Sequence, residues 1–216
     1  MTGPHQNQPY AAAGEPLNTA QAAMIMVHGR GATPEDILRL AEEINRTGFA
    51  CLAPRAANRS WYPYSFLAPL EDNEPGISSG LQSIADLFKV LGEHKIPPER
   101  TILLGFSQGA CLSLEFAARN TRRYGGIVGL SGGLIGPDGT PRDYPGSLDG
   151  TPVFLGCSDV DPHIPKDRVI ESGEIFARLG AQVTTRLYPN MGHTVNHEEL
   201  KYVRKIVDSL SGVSGV

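Results

Sequence analysis

Apolar positions along the chain fall into two recurring patterns. Short continuous apolar runs occupy residues 23–27, 50–53, 101–105, 126–130, 153–156 and 184–188. Most lack the alternation of a half-exposed strand, so they read as strands of a parallel sheet covered on both faces. Between them lie longer amphipathic stretches. Leu81, Ile84, Leu87, Phe88 and Leu91 recur on one helical face and predict a helix over 81–91. Thr33 before Pro34 is an N-cap ahead of a proline at the first helical position, opening a helix that runs to about residue 46. Further helices are predicted over 108–119, 167–179 and 197–210, the last capped by Asn196 with Glu199 three residues on. Strand then helix, repeated about five times, predicts a doubly wound α/β fold with a mostly parallel sheet and right-handed crossovers. No repeat, linker or second domain interrupts residues 20–212. Residues 1–19, polar and rich in Pro, Gly and Ala, read as a loose arm or an edge element.

Composition narrows the picture. A chain of 216 residues favours one domain with a proper core. With 40% hydrophobic and 19% charged residues and a formal net charge of -4, it offers no clustered cations for nucleic acid or an anionic membrane. Cys51 and Cys157 sit in strand-like runs and Cys111 in a helical one, without paired spacing, which predicts buried free thiols in a reducing compartment. The first twenty residues lack a basic segment followed by an apolar one, and the longest apolar run is far too short to span a bilayer. A cytoplasmic protein with no membrane span is expected.

Candidate chemistry begins at Gly105-Phe106-Ser107-Gln108-Gly109. An apolar strand runs into this segment and an amphipathic helix leaves it. Such a junction forces a sharp, strained turn that lifts the serine hydroxyl above the sheet, and the flanking glycines let helix and strand pack closely. Gly129-Leu130-Ser131-Gly132-Gly133 has the same spacing, but the following Leu134-Ile135-Gly136-Pro137 cannot open a helix. Ser107 is therefore the expected nucleophile, and Ser131 is expected in a loop lining the site.

A serine hydroxyl needs an imidazole to take its proton and a carboxylate to fix the imidazole's tautomer. Of the six histidines, His193 lies in a loop between the last strand and the last helix, the place for a base that follows the acid in chain order. His193 and His197 share the spacing of a metal pair, but the helix start at Asn196 and the lack of an intervening glutamate argue against a metal site. Asp159 and Asp161 both follow the strand at 153–156. Asp161-Pro162 begins a stiff turn suited to an orienting residue, which favours Asp161. Two N–H donors are needed for an oxyanion: Gln108, after the nucleophile, and Arg30, within His28-Gly29-Arg30-Gly31. The Arg30 side chain is then free to lie in solvent or to reach an anionic substrate group. Trp61, Tyr62 and Phe66 belong to an aromatic loop expected to wall a substrate pocket with Ser131 and Leu134.

Together, His28-Gly29-Arg30-Gly31, Ala53-Pro54, Trp61-Tyr62-Pro63, the Ser107 segment, Leu130-Ser131-Gly132, Asp161-Pro162-His163-Ile164-Pro165 and Gly192-His193 resemble the phospholipase/carboxylesterase family of α/β-hydrolases, which includes acyl-protein thioesterases. The resemblance covers nearly the whole chain. It implies a single-domain serine esterase without a cap domain, metal-free and without cofactor, often a homodimer, acting on small-molecule acyl esters or thioesters. Its D-P-x-x-P pattern falls on Asp161. The arginine at position 30 and the dense aromatic loop depart from many members and argue against a long-chain lipid substrate. The expected activity is hydrolysis of small to medium carboxylic esters through a Ser107 acyl-enzyme. The rivals are a thioesterase or lysophospholipase of the same family and a catalytically silent binding protein on the same scaffold.

Overall fold

The computed structural model describes residues 3–44 and 47–210. In chain order the elements are β1 (Ala11–Gly14), β2 (Ala22–Val27), α1 (Pro34–Ile44), β3 (Phe49–Ala53), α2 (Gly76–Glu93), β4 (Thr101–Phe106), α3 (Gln108–Arg119), β5 (Gly126–Leu130), β6 (Pro152–Ser158), α4 (Lys166–Arg178), β7 (Gln182–Tyr188) and α5 (His197–Leu210). The seven strands form one sheet in the order β1-β3-β2-β4-β5-β6-β7. Every pairing is parallel except β1 with β3. The doubly wound sheet is as expected from the strand–helix alternation.

Continuous apolar strands make sense because successive residues serve opposite cores. On β2, Ala23, Ile25 and Val27 pack into the core under α2, α3 and α4. Ala22, Met24 and Met26 pack into the second core, beneath α1 and α5. Each fully buried Val, Ile or Met side chain contributes about 1.5–3 kcal/mol relative to exposure, so the two cores hold the sheet rigid. Cys51, Cys111 and Cys157 are buried free thiols.

Three departures from the sequence reading have local causes. Residues 1–19 are the edge element over their described part: β1 pairs with β3, and His5 is buried. The second helix starts at Gly76 rather than 81, because its first turns lie against Trp61 and Leu112, where a Cβ on Gly76 or Gly80 would collide. The predicted end of the first helix near residue 46 and the domain end at 212 lie outside the described residues. Elsewhere the predicted and observed boundaries agree within about two residues. Among the described residues, no helix is long and apolar enough to cross a membrane.

The loops after β2, β4, β6 and β7 all leave the carboxyl edge of the sheet. That edge is where doubly wound folds gather ligand-binding residues.

Candidate active site

Ser107 sits between β4 and α3 with φ 55° and ψ −122°, a conformation that non-glycine residues rarely adopt. The turn is held by the Ser107 N–H, which donates to the Leu130 carbonyl at 2.9 Å. A Cβ on Gly105 would strike the Gly109 carbonyl, and one on Gly109 would strike the Val27 carbonyl. The two glycines therefore let β4, α3 and β2 converge beneath the serine.

His193 stands in the loop between β7 and α5. Its Nε2 lies 2.8 Å from Ser107 Oγ, and its Nδ1 lies 2.7 Å from Asp161 Oδ2. An ionised carboxylate only accepts, so Nδ1 carries the proton and Nε2 is left to accept from the hydroxyl. Burial pushes the Asp161 carboxyl upward, but hydrogen bonds from His193 and from the His163 and Ile164 amides outweigh it, and the group is held below its ordinary value. Asp161 Oδ1 accepts from those two amides at 2.8 and 3.1 Å. The second candidate, Asp159, faces elsewhere: its Oδ1 accepts the Asn190 N–H at 2.9 Å and fixes the turn that leads to His193. On the far side of the loop, Asn196 and Glu199 cap α5 reciprocally, Asn196 N–H to Glu199 Oε2 at 2.8 Å and Glu199 N–H to Asn196 Oδ1 at 2.9 Å. The His193 ring is packed between Phe106 and His163, with centroids 5.1 and 4.9 Å away.

The backbone N–H groups of Arg30 and Gln108 donate to no acceptor among the described residues. The loop carrying Arg30 packs on Ser107, since a Cβ on Gly29 would lie 3.3 Å from Ser107 Cβ. The side chains of both residues grip the aromatic loop. Gln108 Oε1 accepts from the Trp61 N–H at 2.9 Å, and its Nε2 donates to the Tyr62 carbonyl at 2.8 Å. Arg30 Nη1 and Nη2 donate to the Pro63 and Tyr64 carbonyls, each at 2.6 Å. Arg30 is thus exposed at the cleft, as a side chain free of the core would be, but tethered to the aromatic loop.

These groups border a cleft of about 460 Å³. Its wall includes Arg30, Tyr62, Phe66, Ser107, Gln108 and His193, as expected, together with Cys111, His163 and Ile164, which sequence reasoning missed. In the sequence, the segment containing His163 and Ile164 stands out for its carboxylate and its D-P-x-x-P pattern, neither of which places these two side chains in the cleft. Three expected pocket residues lie elsewhere. Trp61 is fully buried between the rings of His5 and His28, at 5.1 and 5.0 Å, and its Nε1 donates to the His28 carbonyl. The large indole supports the loop from below rather than facing the cleft. Ser131 and Leu134 are also fully buried. Their loop is drawn into the core by Arg168, which donates to the Leu134 and Gly136 carbonyls, and by Glu115, which accepts the Ile135 N–H.

The fold and the strained serine turn define an α/β-hydrolase. The family model described as phospholipase/carboxylesterase matches residues 9–211, and the chain belongs to that family. It is a hydrolase of the esterase class. A solved phospholipase/carboxylesterase from Dyadobacter fermentans is 40% identical, with a TM-score of 0.90 over 93% of this chain and 97% of that one. An acyl-protein thioesterase 1 from Debaryomyces hansenii is 29% identical over 88% of this chain and 92% of its own length. The crystal structure of esterase PE8 shares the fold, with a TM-score of 0.76 at 22% identity over 94% of this chain and 98% of that one.

Proposed function

We propose that the protein hydrolyses small to medium carboxylic esters through a Ser107 acyl-enzyme, with His193 as general base and Asp161 as its orienting carboxylate. The observation that carries this reading is the continuous hydrogen-bonded path from Ser107 Oγ through the His193 ring to Asp161. As Ser107 attacks the ester carbonyl, His193 Nε2 takes the hydroxyl proton and then delivers it to the leaving alcohol. Water repeats the sequence to release the acid. The free N–H groups of Arg30 and Gln108 serve as oxyanion donors, at positions that favour charge developing on the carbonyl oxygen. A cleft of about 460 Å³ walled by Tyr62 and Phe66 favours a compact acyl group.

The test is a panel of p-nitrophenyl esters of graded chain length. Activity should peak at short to medium acyl groups and fall at least about a thousandfold in Ser107→Ala and His193→Ala. A fully active Ser107→Ala enzyme refutes the reading. A matched thioester of the best acyl group decides between the esterase and the thioesterase named among the relatives.

A further inference from the structure

The lining of the cleft carries one permanent cation and no carboxylate. Arg30 lines it together with His163 and His193, and neither Asp nor Glu appears on its wall. The one carboxylate close behind the wall, Asp161, is already engaged by His193 and by the His163 and Ile164 amides, which leaves Arg30 as the charge open to a ligand in the cleft. Arg30 forms no ion pair among the described residues. Its guanidinium is nevertheless fixed, because the Pro63 and Tyr64 carbonyls accept from its two Nη groups at 2.6 Å. Those contacts use two of the five N–H donors and leave three for a ligand. A guanidinium already held in place loses little freedom when it binds, and the N–H donors along the free edge of its planar, weakly hydrated fork suit a carboxylate.

We propose that Arg30 reads a carboxylate at the far end of the acyl group, making monoesters of short dicarboxylic acids the preferred substrate class. The inference rests on the hydrolytic reaction proposed above. In that reaction the leaving oxygen must face His193 Nε2 to receive its proton. The acyl chain then runs away from His193, toward the wall of residues 62–66 that the Arg30 side chain holds. Tyr62 and Phe66 meet the methylenes of such a chain, and the free edge of Arg30 meets its terminal charge.

The test compares monomethyl succinate, glutarate and adipate with methyl valerate by pH-stat titration. Carboxymethyl valerate, which carries its carboxylate on the alcohol, is the control. At least one diacid monoester should exceed methyl valerate in kcat/KM by roughly ten- to a hundredfold, mainly through KM, the range of a charge-assisted hydrogen bond. Added salt should shrink the preference. Arg30→Gln should bring the ratio to one or below, and Arg30→Lys should keep part of it. Loosening of the aromatic loop in these variants affects both esters alike and cancels in the ratio. Three diacid ratios at or below one in an enzyme that hydrolyses methyl valerate overturn the proposal. So does a preference that survives Arg30→Gln, or a gain confined to carboxymethyl valerate. An enzyme that cleaves none of these esters and takes no fluorophosphonate label at Ser107 overturns the parent reaction instead.

Discussion

The Trp61 backbone N–H donates to the side chain of Gln108 at 2.9 Å. The residue proposed to offer its own amide to the oxyanion therefore also sets the position of the pocket wall. Gln108→Ala leaves the Trp61 N–H and the Tyr62 carbonyl without partners in a nearly dry site, an expected cost of about 1–3 kcal/mol. Its main-chain amide remains, so the expected kinetic signature is a raised KM with a smaller loss in kcat. Thermal melts and steady-state kinetics on one ester measure the two effects.

Asp161→Asn keeps an acceptor for the His163 and Ile164 amides but no longer stabilises an imidazolium or enforces the Nδ1–H tautomer. The expected outcome is a near-wild-type melting temperature with kcat lower by about a hundred- to ten-thousandfold. Asp159→Asn keeps its contact with the Asn190 N–H and should lose far less. Steady-state kinetics of the two variants side by side separates the roles.

Glu199 supplies a pH dependence of stability. Burial pushes its carboxyl up to about 7, against the stabilising Asn196 N–H, and its Oε1 has no hydrogen-bond partner among the described residues. The unfolded chain ionises this group from about pH 4.5 upward, while the folded one holds its proton until about 7. Its contribution to stability therefore falls as pH rises across that window. Glu199→Gln should flatten this slope and stabilise the protein at pH 8, by at most about 3 kcal/mol. Denaturant melts of both proteins at pH 5 and pH 8 provide the check.

The two rings around Trp61 respond in the opposite direction. Burial lowers the pKa of His5 and of His28. Each accepts a backbone N–H through its unprotonated nitrogen, His5 from Ala57 at 3.0 Å and His28 from Ala56 at 3.2 Å. The unfolded chain takes up these protons more readily, so this stability is present above about pH 6.5 and declines as pH falls below it. Trp61 is the single tryptophan, and its fluorescence should change during acid titration. In His5→Gln the His5 component should be missing from the titration curve.

Much of this arrangement was legible in the sequence because local rules and tertiary needs coincide. The Asn196–Glu199 cap, the Ser107 turn and the loop position of His193 each carry a short-range signature that packing then honours. Asp159 and Asp161 follow the same strand, and what separates them in the sequence is the Pro162 turn together with the D-P-x-x-P pattern that falls on Asp161. The positions of Trp61, Ser131 and Leu134 escape the sequence for a different reason. An aromatic or glycine-rich loop at the carboxyl edge of a sheet can face the cleft or fold beneath it. What decides is a long-range partner, such as His5 and His28 for Trp61 or Arg168 and Glu115 for the 131–136 segment. The same holds for Arg30, whose carbonyl partners lie more than thirty residues away.

The central claim is that Ser107 is activated by His193, and covalent labelling tests it most directly. After treatment with a fluorophosphonate, peptide mass spectrometry should find one adduct on Ser107 and none on Ser131, with labelling at least about a hundredfold slower in His193→Ala. An adduct on another residue, or equal labelling rates in the two proteins, would contradict the account.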